Sequence, residues 1–125
     1  MFKKSLPVLG LSLLLAGCAS QLTNLTPQQQ VRNPANLYPV EVAFNTSQQT
    51  VRWHSIQPKI VVGTEQYEMR ATPLMTNRWE GLIPASAGAS VIHYHYKLDF
   101  EYNKMGKPGA DNAVSPEYTL RIVNQ

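Results

Sequence analysis

From residue 91 to 102 the chain alternates without a break. Ile92, Tyr94, Tyr96, Leu98, Phe100 and Tyr102 fall on one side, and Val91, His93, His95, Lys97, Asp99 and Glu101 on the other. A period of two is the spacing of a strand with one buried face; on a helix the same residues would scatter around the axis. Burying one large apolar side chain stabilises a fold by roughly 1.5–3 kcal/mol, so this strand is expected to dominate the core. Shorter runs of the same pattern fill much of the chain. Val40, Val42 and Phe44 alternate with Glu41 and Ala43, while Val51 and Trp53 oppose Arg52 and His54. Residues 59–62 form a β-branched run between Pro58 and Gly63, residues 67–70 alternate ahead of Pro73, and residues 78–83 stop at Pro84. Tyr118, Leu120 and Ile122 alternate near the C-terminus. Residues 103–116, marked by Gly106, Pro108, Gly109 and Pro116, read as a loop.

About seven short strands with turn residues between them, and no helical period, predict an all-β domain over residues 38–125. The expected architecture is an immunoglobulin-like antiparallel β-sandwich, with Trp53 or Trp79 between the sheets; a small closed barrel is the alternative. Ahead of it the pattern fades. Residues 19–37 are rich in Ser, Gln, Thr, Asn and Pro and carry one charge, Arg32. Residues 18–37 are therefore expected to be a flexible tether, spanning about 25 Å root-mean-square as a coil.

The first seventeen residues have another character. Lys3 and Lys4 precede an uncharged apolar run over residues 6–16, and small residues follow, the layout of a cleaved secretory signal. Directly after Leu15, Ala16 and Gly17 stands Cys18, the single cysteine of the chain. A lone thiol has no intramolecular disulfide partner, and in an exported protein it calls for an explanation. The four residues Leu15-Ala16-Gly17-Cys18 resemble the lipobox of bacterial lipoproteins. The resemblance implies that Cys18 receives a diacylglyceryl group, that signal peptidase II cuts ahead of it, and that the new amine is acylated. Several acyl chains anchor far more firmly than one. Ala19, where lipoproteins of the inner membrane commonly carry Asp, implies the outer membrane facing the periplasm.

Charge adds little. The formal net charge is +3, but Lys3 and Lys4 leave with the signal, so nine of the eleven basic residues remain against eight acidic ones. No cluster of Lys and Arg remains to support a nucleic-acid partner. His93 and His95 leave one strand on the same face and are candidate metal ligands. They are half a site at most, because His54 is the only other histidine and nothing in the sequence places it beside them. The plainer reading is a solvated strand face continued by Lys97, Asp99 and Glu101. Asp99 and Glu101 have a spacing compatible with paired carboxylates, yet beside Lys97 they read as solvated charges. No nucleophile elbow, reactive cysteine or phosphate loop is present, so no catalytic residue, cofactor or metal is assigned.

Trp79, the turn at Pro84 and the run Tyr94-His95-Tyr96-Lys97-Leu98-Asp99 resemble the early-set, glycogen-binding-module pattern, in which a Trp strand precedes a Tyr-x-Phe-x-x-Asp strand. Phe100 stands where that family usually has Gly. The resemblance implies an immunoglobulin-like sandwich and, as the alternative function, a carbohydrate-binding module. The leading expectation is a lipid-anchored, non-catalytic envelope protein that engages another envelope protein. Replacing the thiol tests the anchor: Cys18→Ser should accumulate as an unlipidated precursor, seen as an uncleaved chain by intact-protein mass spectrometry. A variant that still matures and fractionates with membranes would refute the lipobox.

Overall fold

The computed structural model describes residues 21–124, so the signal sequence and Cys18 lie outside the described residues. Ten strands pair into two facing sheets. The first sheet has the order β1 (Gln21–Asn24), β3 (Leu37–Asn45), β7 (Arg78–Pro84), β6 (Arg70–Ala71). The second runs β2 (Gln29–Val31), β10 (Tyr118–Val123), β8 (Val91–Lys104), β4 (Gln57–Val62), β5 (Glu65–Glu68). Strand β9 (Lys107–Val114) lies beside the far half of β8. This is an immunoglobulin-like β-sandwich, and two separate sheets rule out the closed barrel.

The core follows the alternation. Ile92, Tyr94, Tyr96, Leu98 and Phe100 of β8 are buried, and they meet Tyr38, Val40, Val42 and Phe44 of β3 across the interior. Between them the rings form two clusters. Phe44 packs on Phe100 at 5.4 Å and on Trp53 at 5.9 Å between centroids. Tyr94, Tyr96 and Tyr118 lie 5.6–5.9 Å from one another, offset and tilted as ring quadrupoles favour. Of the two tryptophans, Trp79 is the one between the sheets, whereas Trp53 is 41% exposed.

Three sequence expectations need correction. The supposed tether is part of the sandwich: β1 pairs antiparallel with β3, and after a crossing at Thr26 and Pro27, β2 pairs parallel with β10. Both strands are too short and too polar to show a period, and the main chain of their neighbours holds them. Arg32, the one charge of that segment, clamps it from the other side, donating to the carbonyls of Ala87 and Ala89 and to Asn124 Oδ1. Residues 103–116 are not a loop, because β8 and β9 form a hairpin closed by Met105 and Gly106. Both turn residues have positive φ, 48° and 83°, as the two-residue turn matching strand twist demands. Opposite Tyr102, Gly109 leaves room for the phenol ring, since an added Cβ would stand 2.6 Å from Tyr102 Cζ. Residues 50–54, expected as a strand, form only a single bridge from Val51 to Tyr102, followed by a 3-10 turn at Trp53–Ser55. That turn is held by Ser55 Oγ, which donates to the Arg52 carbonyl.

One polar connection crosses the interior. Thr26 Oγ1 lies 3.0 Å from the Tyr96 hydroxyl, which donates to Asn24 Oδ1 at 2.7 Å. Asn24 Nδ2 then donates to the Tyr94 hydroxyl at 2.9 Å. The carbonyl of Glu41 on β3 lies 3.1 Å from the same Tyr96 oxygen, and the Glu41 amide donates to Thr26 Oγ1 at 2.8 Å. A strand of the second sheet is thereby bonded to two segments of the first. Burial, above all, holds the Tyr96 phenol well above its ordinary value of 10.0, and burial raises Tyr118 in the same direction.

Tyr96→Phe should cost about 1–3 kcal/mol at neutral pH, because it orphans buried partners while leaving the ring volume in place. It should also change the pH dependence. In the unfolded chain a tyrosine ionises near pH 10, whereas the folded protein keeps Tyr96 protonated; stability is therefore full below about pH 10 and falls as pH rises above it. Urea unfolding from pH 8 to 11 should show a shallower alkaline loss for Tyr96→Phe than for the wild type. Equal slopes would mean that the phenol is not sequestered.

Candidate functional site

Because the inner faces are filled, binding capacity has to be sought outside the sandwich. The outer face of the first sheet carries three successive cross-strand rows. Leu37 lies opposite Pro84, Pro39 opposite Leu82, and Glu41 opposite Glu80, with Arg70 of β6 next to Glu80. A groove of about 920 Å³ covers the second and third of these rows, within the volume range of ligand sites. Its apolar lining on this face includes Leu25, Pro39 and Leu82, and the carboxylates there are Glu41 and Glu80; at the rim, Met69 packs inward against the core and Glu68 lies opposite Lys59 across its ladder.

Local sequence explains the shape. Strand β6 is two residues long and pairs β7 only at Trp79 and Glu80, with Thr72 N donating to the Arg78 carbonyl, so no strand lies beside that edge of β7 from Leu82 to Pro84. Pro39 and Pro84 keep this face apolar without donating to a ladder. Leu82 is 51% exposed although it lies mid-strand.

The electrostatics are unbalanced. Glu41 and Glu80 are directly opposed, a pairing that destabilises a sheet by like-charge repulsion. Arg70 relieves one side of it, with Nη2 at 3.2 Å and Nε at 3.3 Å from a single Glu80 oxygen. The Arg70 side chain is 82% exposed, so water screens the pair and it adds little stability. Two carboxylates, Glu41 and Glu80, thus share one guanidinium beside the apolar row of Pro39 and Leu82. The arrangement suits a ligand that brings apolar surface and positive charge together.

The residues singled out from sequence are dispersed. His93 and His95 share the outer face of β8 as expected, with His93 Nδ1 3.1 Å from Thr119 Oγ1. His54 sits in the 3-10 turn. Among the described residues, no group of three or more His, Cys, Asp or Glu side chains is placed to hold a metal ion. Asp99 and Glu101 line a shallower depression of about 400 Å³ with Asp111, and Glu101 also pairs with Arg52 at 3.6 Å. Tyr94, Tyr96 and Phe100 are buried and present no ring face to a sugar. Sequence reasoning missed the groove. Its one signal was the pair of exposed-parity apolar positions, Pro39 and Leu82, and only strand pairing brings these together.

No protein-family model and no curated protein matches this chain. Among solved structures, the chain is similar to a DUF4785 family protein of Legionella pneumophila at 8% identity and a TM-score of 0.45; the match covers 82% of this chain and 28% of that one. It is also similar to murine CRIg at 7% identity and a TM-score of 0.39, covering 84% of this chain and 98% of that one. The chain therefore spans under a third of the first of these structures.

Proposed function

We propose that this protein is a lipid-anchored, non-catalytic module of the bacterial envelope that binds another envelope protein through the groove on its first sheet. The anchor is the acylated Cys18, the address is the periplasmic side of the outer membrane, and the partner contributes a segment with apolar and basic side chains. The observation that carries the reading is the apolar floor of Leu25, Pro39 and Leu82 beside Glu41 and Glu80, two opposed carboxylates that share a single guanidinium. Apolar anchors seated in a pocket supply most of the affinity of such contacts, and complementary charge sets register and on-rate. The non-catalytic reading comes from the sequence, which offers no nucleophile elbow, reactive cysteine or phosphate loop. Tyr94 and Tyr96, which carry the early-set resemblance, lie in the core, so the carbohydrate alternative is not carried further.

Crosslinking in intact cells followed by affinity capture of the tagged lipoprotein tests it. Leu82→Lys puts a cation into the groove at an exposed position, and should weaken capture of the dominant partner by about tenfold or more, the equivalent of about 1.4 kcal/mol. Glu41→Gln should also weaken capture, while stability stays level or rises slightly because it removes the opposed charge. Binding that is indifferent to both substitutions would refute the groove as the site.

A further inference from the structure

Strand β1 fixes where the anchor leaves the domain. Gln21 lies opposite Asn45, so β1 starts at the end of the sandwich from which the β3–β4 connection departs. Cys18 is three residues ahead of Gln21, and three residues reach at most about 10 Å even when extended. Two other connections share this end. The β6–β7 connection returns at Arg78, beside Ala43, and the β8–β9 turn projects past Tyr102, which bridges to Val51.

The side chains there are unusual for a solvated loop end. Leu74 is 103% exposed and Met105 98%, with Trp53 at 41% and Met75 at 38%. Leu74 and Met105 are also held at φ of 65° and 48°, conformations that bulky residues rarely adopt. Residues 45–56, 72–77 and 103–108 contain no Asp or Glu, and they include Arg52, Lys104 and Lys107. Arg52 is paired with Glu101, whereas Lys104 and Lys107 face each other across the turn that displays Met105.

We propose that this loop end seats on the bilayer to which Cys18 is anchored, with Leu74, Met75, Met105 and Trp53 entering the headgroup–acyl boundary. Lys104 and Lys107 then lie at the level of lipid phosphates. The occupant is a membrane surface carrying anionic headgroups, for three reasons. The anchor tethers lipid at this end, the tips are apolar, and the surrounding charge is cationic. Trp at such a boundary is a common placement. The inference rests on the lipidation of Cys18 set out above.

The test uses the full-length lipoprotein, reconstituted in vesicles of phosphatidylethanolamine and phosphatidylglycerol whose acyl chains carry bromine, a short-range quencher of tryptophan. The comparison is the double variant Leu74→Asn, Met105→Asn. Asn tolerates positive φ better than Leu or Met, and Asn followed by Gly106 is the favoured sequence for that turn, so the variant keeps its fold. Wild-type fluorescence should be quenched through Trp53, and the variant should lose most of that quenching while remaining vesicle-bound. Trp79 is buried in both proteins and supplies the common background. Equal quenching in the two proteins, or none in the wild type, overturns the seating provided intact mass shows lipid on Cys18. A mass without lipid overturns the anchor itself, and the orientation with it.

Discussion

The hydroxyl of Tyr96 is the point on which this sandwich depends. With one cysteine in the chain, the two sheets have no intramolecular disulfide to hold their spacing, and apolar packing is largely non-directional. The contacts of Tyr96 with Asn24, Thr26 and the Glu41 carbonyl supply direction. A buried network that is fully satisfied rigidifies a core, whereas one missing a member leaves orphaned polar groups at high cost. Here the members come from β1 and its exit, from β3 and from β8, so the network sets where the N-terminal segment runs as well as how the sheets face.

That constraint bears on function. Had residues 21–37 been a loose coil, the domain would have hung from its lipid at no fixed angle. Held by Tyr96 at one side and by the Arg32 clamp at the other, the segment becomes two strands, so the proposed anchor would join the domain close to a known end. In the proposed orientation the cationic, apolar loop end meets the bilayer. The groove rows run from Glu41 and Glu80 toward Leu37 and Pro84, away from that end. In the proposed arrangement, membrane contact and partner binding therefore use different surfaces and do not compete.

The sequence carried the fold class because its strongest signal was strict. Six alternating positions on β8 leave one face to bury, and Val40, Val42 and Phe44 repeat the instruction on β3. It failed where pairing rather than pattern makes a strand. In β9 the Pro108-Gly109 pair reads as a turn, yet Gly109 lets the Tyr102 ring lie over the ladder. In β1 and β2, four- and three-residue runs with a single apolar residue each are strands only because β3 and β10 offer free edges. Val51 and Trp53 showed the reverse error. Of two apolar residues at strand spacing, Val51 makes a single bridge and Trp53 opens a 3-10 turn, because the chain there has to pass from one sheet to the other.

The candidate sites divide along the same line. The lipobox is a local motif read by an enzyme on an extended chain, so four consecutive residues are enough to propose it. His93 and His95 could be placed on one face for the same reason, since neighbours on a strand have fixed directions. Whether other ligands approach them is a matter of distant segments. The groove belongs wholly to the second category: Leu25, Pro39 and Leu82 come from three separate stretches, and each alone is an unremarked residue. By itself the sequence determined which residues go inside, because alternation within a strand is a local property. The tertiary structure decided what the outside forms, because a surface is made by elements that meet only after the core has closed.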